Sequence, residues 1–108
     1  MPYVLFMEFI ESPLFTNLIS KYMDDLEYSA LQIELTLRPE TGPIIPGSGG
    51  VRKLRWSGKG KGKRGGLRII YYWKHSKDEI WLLTIYAKSE TENISLDILR
   101  EIRKEIER

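Results

Sequence analysis

Residues 2–10, "PYVLFMEFI", are rich in β-branched and aromatic side chains and predict a strand. Ser12 and Pro13 then supply an N-cap and a first helical residue. Leu14, Leu18, Tyr22 and Leu26 recur every four residues, with Phe15, Ile19 and Met23 beside them, so a helix with one apolar face is expected. Asp24 and Asp25 mark a break and a new cap. The next run, "LEYSALQIELTLRPE", fits two periods. Leu31, Ile33, Leu35 and Leu37 alternate as in a strand, whereas Leu26, Ala30, Ile33 and Leu37 share a helical face. Its length and its Glu, Gln, Leu and Ala content predict a helix, stopped by Pro39.

"PETGPIIPGSGG" is too dense in proline and glycine to be anything but a loop. Three strands follow, at 51–56, 67–73 and 79–88, the last two joined as an antiparallel hairpin by "KHSKD". Ile94, Ile98, Ile102 and Ile106, with Leu99 alongside, predict a final amphipathic helix. The order β-α-α-β-β-β-α predicts an α+β fold, a twisted and largely antiparallel sheet with helices on one face. The 108 residues suit one domain, spanning 1–108.

Charge alters this picture more than composition does. The formal net charge is only +2, yet the stretch from Thr41 to Lys77 holds ten Lys or Arg and no acid, while all fifteen Asp and Glu lie outside it. A local positive field of this kind suits a polyanion, although a basic run is often no more than a solvated face. No apolar run is long enough to cross a membrane, and the first ten residues lack a basic leader, so a cytoplasmic protein is expected.

Several chemistries fall away. With no cysteine, thiolate ligands, disulfides and Cys nucleophiles are excluded. His75 is the only histidine and sits in a turn, so a two-histidine ribonuclease mechanism is impossible. Without a carboxylate cluster beside it, no metal and no cofactor are expected. "GKGKRG" at 60–65 has dinucleotide-loop spacing but precedes a strand where a helix is needed, and a phosphate-binding P-loop lacks its Ser or Thr.

What remains is a basic hairpin interleaved with aromatic residues. Strand alternation sets Arg52 and Leu54 on one face and Lys53 and Arg55 on the other. A sheet surface lined by Lys53, Arg55, Arg68, Tyr86 and Lys88 is suited to clamping phosphates while aromatic rings stack on bases. Tyr71, Tyr72, Trp73 and Trp81 are better read as core and sheet residues. Glycines between the lysines allow a loop backbone to approach an RNA groove closely.

The segments "GSGGVRKLRW", "GKGKRGGLRIIYYW" and "LLTIYAKSE" resemble the HigB branch of the RelE/ParE superfamily of bacterial toxins, chiefly from Gly47 to Glu90. The resemblance implies a RelE-like, microbial-RNase-like fold and a metal-independent endoribonuclease that cleaves messenger RNA in the ribosomal A site. It also implies a cognate helix-turn-helix antitoxin as partner, besides mRNA and ribosomal RNA. Lys53 and Arg55 match the basic pair on the family's strand before the basic turn. Arg68 matches its arginine against the scissile phosphate. Lys88 falls in the family's Gly-Lys-Arg signature, with Ser89 in place of the arginine. No tyrosine follows Tyr86, where other members carry a catalytic one, and both departures favour the HigB branch.

On this reading the ribose 2′-OH attacks the adjacent phosphorus. Lys53, a lysine set among other cations, is the candidate proton acceptor. Arg68, reinforced by Arg64, stabilises the phosphorane. Arg52, Lys59, Lys61 and Lys63 are expected to hold message or ribosomal phosphates. A ParE-like gyrase inhibitor and a non-catalytic RNA- or ribosome-binding module are the alternatives.

Overall fold

A computed structural model describes residues 6–57, 66–90 and 94–108. It contains strand β1 (Glu8–Glu11), helices α1 (Pro13–Tyr22) and α2 (Asp25–Leu37), strands β2 (Arg52–Trp56), β3 (Leu67–Lys74) and β4 (Glu79–Ala87), and helix α3 (Leu96–Ile106). The predicted element order is therefore the observed one.

All three helices begin on side-chain caps. The Ser12 hydroxyl accepts from the Phe15 amide at 3.0 Å and donates to the Leu83 carbonyl at 2.7 Å, fixing the start of α1 to the sheet. Asp24 accepts from the Glu27 amide at 2.8 Å, and Ser95 from the Ile98 amide at 3.1 Å. Each cap contributes about 1 kcal/mol by satisfying an amide that the helix cannot.

The sheet runs β1-β4-β3-β2. The β2-β3-β4 meander is antiparallel, but β1 pairs parallel with β4, so the sheet is mixed rather than antiparallel throughout. The reason is topological. The chain leaves β1 through two helices and two strands before β4 returns beside it, and a long crossover permits parallel pairing where a hairpin cannot. A second irregularity lies inside β4. Ile70 faces Thr84 while Tyr71 faces Leu82, which leaves Leu83 as the extra residue of a bulge. Leu82 and Ile85 then enter one core and Leu83 the other.

There are two cores because β3 is apolar on both faces. Ile69 and Tyr71 pack with Phe15 of α1 and with Leu31 and Leu35 of α2. Ile70 and Tyr72 pack with Leu99 and Ile106 of α3. The expectation that the helices share one face is thus corrected: α1 and α2 cover one side and α3 the other, as a strand without an exposed face requires. The Tyr71 hydroxyl, fully buried, donates to the Pro39 carbonyl at 2.8 Å and accepts from the Gly42 amide at 2.9 Å, anchoring the loop that follows α2.

Two helical faces also differ from expectation. In α2 the buried residues are Leu31 and Leu35, whereas Leu26, Ile33 and Leu37 are exposed. In α3, Leu99 and Ile106 are buried and Ile102 is half-buried, but Ile98 is 54% exposed. The sheet selects the stripe through Leu99, and Ile98 falls outside it.

Candidate functional site

The pairing register assembles the site. Arg55 of β2 stands directly opposite Arg68 of β3, and Arg68 directly opposite Tyr86 of β4. Side chains so placed share a face, with their Cβ atoms about 5 Å apart. One pleat along, Lys53 opposes Ile70, which opposes Thr84. The result is a row Arg55–Arg68–Tyr86 with Lys53 beside it.

This row lies on the α3 side of the sheet, since Ile70 and Tyr72 alternate with Arg68 and belong to the core under α3. Helix α3 is held at the other end of that face. Its C-terminal end accepts from Lys74 through the Ile106 carbonyl at 2.7 Å and from Tyr72 through Glu107 at 2.6 Å. Arg100 donates to the Gly47 carbonyl at 2.7 Å, holding the helix against the loop before β2.

Burial divides the row. Arg68 is only 8% exposed and donates to its neighbour's carbonyl, that of Leu67, at 3.3 Å. Tyr86 is half-buried against the α3 core, while Lys53 and Arg55 are exposed. Arg68 is thus set into the floor of the sheet, with an exposed cation on one side and a half-buried phenol on the other.

Arg52 is not brought into this group. It stands on the opposite face, opposing Tyr71, and its guanidinium donates to the carbonyls of Glu40 and Gly42 at 3.1 and 2.8 Å. It fastens a loop. The expected phosphate-binding residues Lys59, Lys61 and Lys63, and the reinforcing Arg64, lie outside the described residues. Lys88 is exposed just past the end of β4, and its amide donates to the Gly66 carbonyl at 3.0 Å. His75 is exposed in the turn between β3 and β4, its ring stacked on Trp73 at 3.7 Å between centroids. Among the described residues no group of three or more His, Cys, Asp or Glu is gathered as if to hold a metal ion.

One feature beside the row escaped the sequence reading. The Glu90 carboxylate accepts from the Tyr22 hydroxyl at 2.5 Å and from the Ala87 amide at 2.8 Å, with the Lys21 ammonium at 3.6 Å. It thereby ties the end of α1 to the turn Ala87–Glu90, which the Glu90 amide closes on the Ala87 carbonyl at 2.9 Å. Lys88 and Ser89 sit at the tip of that turn. No local signal announces a contact across 68 residues.

The Tyr22 hydrogen bond, then the Ala87 amide and Lys21, hold the Glu90 carboxyl below its ordinary value. A depressed carboxyl contributes stability above the unfolded-state value, about pH 4.3, and loses it as pH falls through the lower folded value. Glu90→Gln is therefore expected to be less stable than the parent at neutral pH, with the gap closing below about pH 4. Urea titrations of both proteins across that range measure it. A gap independent of pH would remove the linkage.

No family model matches the chain. Among solved structures, it superimposes on a double arginine-to-alanine mutant of the E. coli toxin RelE in the free state. The TM-score is 0.59 at 13% identity, over 90% of this chain and 96% of the other. The chain has a RelE-like fold. The solution structure of the conserved hypothetical protein HP0892 from Helicobacter pylori is also similar, with a TM-score of 0.53 at 17% identity over 78% of this chain and 97% of that one. The row Arg55–Arg68–Tyr86 lies on the same sheet face as α3. No described helix is long and apolar enough to cross a membrane.

Proposed function

We propose that this chain is the toxin of a toxin-antitoxin pair, of the HigB type, and that it cleaves messenger RNA in the ribosomal A site without a metal. The observation that carries the reading is the in-register row Arg55–Arg68–Tyr86 with Lys53 on the same face. The RelE-like fold supports it, as does a stretch of ten cations without one acid.

The reaction needs three things at one phosphate. The 2′-OH must lose its proton as it attacks phosphorus, the phosphorane's negative charge must be held, and the departing 5′-oxygen must gain a proton. Arg68 takes the second task, because its guanidinium cannot deprotonate and its fork is held by the sheet. Arg55, opposite it and exposed, closes on the same phosphate. Lys53 and Tyr86 are the members of the group able to take or give a proton, and they flank Arg68 from neighbouring strands. Lys88 extends the positive edge past β4, and Lys59, Lys61, Lys63 and Arg64 add to it in sequence. Arg52 serves the loop rather than the RNA. A cognate antitoxin and the ribosome are the partners of this reading, and the cytoplasm is its setting.

Induction in growing bacteria, followed by primer extension on abundant messages, tests the proposal. New 5′ ends are expected inside translated codons, and none on the same message lacking a start codon. Growth arrest with intact messages would overturn cleavage and favour a non-catalytic ribosome-binding role. A change in supercoiling by gyrase with intact messages would favour the ParE-like alternative.

A further inference from the structure

Helix α2 is apolar on two opposite sides, and among the described residues only one of them is packed into a core. Leu31 and Leu35 point into the core, with Tyr28 packed beside them. Leu26, Ala30, Ile33 and Leu37 follow a separate four-three-four spacing, which gathers them within about 60° of one another and across the helix from Leu31 and Leu35. Leu26 is 73% exposed, Ile33 61% and Leu37 55%. A stripe of this kind over three turns is unusual on a solvent-facing helix, since a helix apolar all round is ordinarily covered all round.

The stripe is continuous with a groove. Phe9 of β1, the edge strand, lies across from Ile33 and Leu37, with Ser29, Gln32 and Thr36 on the groove wall. The seat is therefore concave on one flank of the stripe. Its other flank is acidic, because Glu27 and Glu34 fall on that side of the helix. From Asp24 to Glu40 the chain has five acids against the single cation Arg38, and Arg38 donates twice to Glu34, at 2.9 and 2.6 Å.

Charge selects the occupant. Two copies joined face to face would bring the same carboxylates together, and an anionic lipid surface would be repelled. We propose that the outer face of α2, together with Phe9, docks an amphipathic helix of a second protein, one with an apolar stripe flanked by Lys or Arg. The seat is on the α1–α2 side of the sheet, whereas the Arg55–Arg68–Tyr86 row is on the α3 side, so an occupant leaves the row uncovered. The inference rests on α2 and β1 alone. It stands or falls independently of RNA cleavage.

Synthetic helical peptides about four turns long provide the test. One has a leucine stripe with lysine flanks, and another the same stripe with glutamate flanks. The isotope-labelled full chain is titrated with each and followed by amide shifts. The lysine-flanked peptide is expected to bind saturably, shifting amides of α2 and Phe9, more weakly as salt rises. The Ile33→Ser, Leu37→Ser double variant, which alters only exposed side chains, is expected to weaken it about tenfold or more. The glutamate-flanked peptide is expected to bind weaker still. Absence of saturable binding by the lysine-flanked peptide, equal binding of both peptides, or shifts confined to another surface would overturn the proposal. So would sedimentation that finds the parent dimeric and the double variant monomeric, which would make a second copy the occupant.

Discussion

Arg68→Ala is expected to lower message cleavage on ribosomes by about 10²- to 10³-fold, the usual loss when a preorganised donor to developing negative charge is removed. The size follows from its position. Arg68 is 8% exposed in the floor of the sheet, between Arg55 and Tyr86, so in the proposed reaction its fork would need no reordering to meet the phosphate. Arg68→Lys keeps the charge but replaces a planar fork with a flexible point charge, and recovery of no more than about a tenth of the activity is expected. Arg55→Ala, at an exposed position, is expected to cost about tenfold, because a solvated cation loses less on removal. Single-turnover cleavage of a defined message on stalled ribosomes measures all three. Each rate is divided by the folded fraction from urea unfolding, since Arg68 is buried and its loss also affects stability. An Arg68→Ala protein that is folded and cuts at the parental rate would remove the row from the chemistry.

Local chemistry made much of the fold legible. The caps at Ser12 and Asp24 are readable in the sequence because an oxygen one turn ahead of an amide is a feature of adjacent residues. The alternation of Lys53 and Arg55 against Leu54 placed the basic pair on one face, and pairing with β3 aligned that pair with Arg68. Other features depend on partners far along the chain. The parallel union of β1 with β4 spans about 70 residues, and nothing in "MEFI" specifies which neighbour it takes. The Leu83 bulge hides in an apolar run where either register looks equally good. Helix α3 announces an apolar face but not which side of the sheet will receive it. In α2 the helical stripe legible in the sequence is Leu26, Ala30, Ile33 and Leu37, whereas the tertiary fit buries Leu31 and Leu35, which stand out there only as part of a strand-like alternation.

The glycine-rich stretch before β3 has a meaning that the sequence reading missed at one position. Freedom of the backbone to meet RNA is the expected use of glycine there, and Gly60, Gly62 and Gly65 lie outside the described residues. At Gly66 the demand comes from the protein itself. Its φ is +60°, and a Cβ would stand 2.5 Å from the Trp56 carbonyl oxygen and 2.9 Å from the Ser57 Cα. The neighbouring pair Trp56–Leu67 closes the β2–β3 ladder, and the Gly66 carbonyl receives the Lys88 amide at 3.0 Å. A side chain at this point would push β2 from β3 beside the Arg55–Arg68 pair and loosen the turn that bears Lys88. The left-handed backbone alone costs about 1–3 kcal/mol for a residue other than glycine, and separation of backbone from backbone adds to it. Gly66→Ala is therefore expected to lose roughly 3 kcal/mol or more, seen as a lower urea midpoint with the slope unchanged. Gly47→Ala is the matched control. Its φ is +80°, but the nearest atom to its Cβ is the Leu96 Cδ1 at 3.2 Å, a side-chain tip able to turn away. Gly47→Ala is expected to incur the backbone term only and to leave cleavage unchanged, whereas Gly66→Ala loses stability and cleavage together. Equal losses in the two variants would mean that β2 and β3 tolerate a wider approach, and that the geometry around Arg55 and Arg68 is held by something other than this glycine.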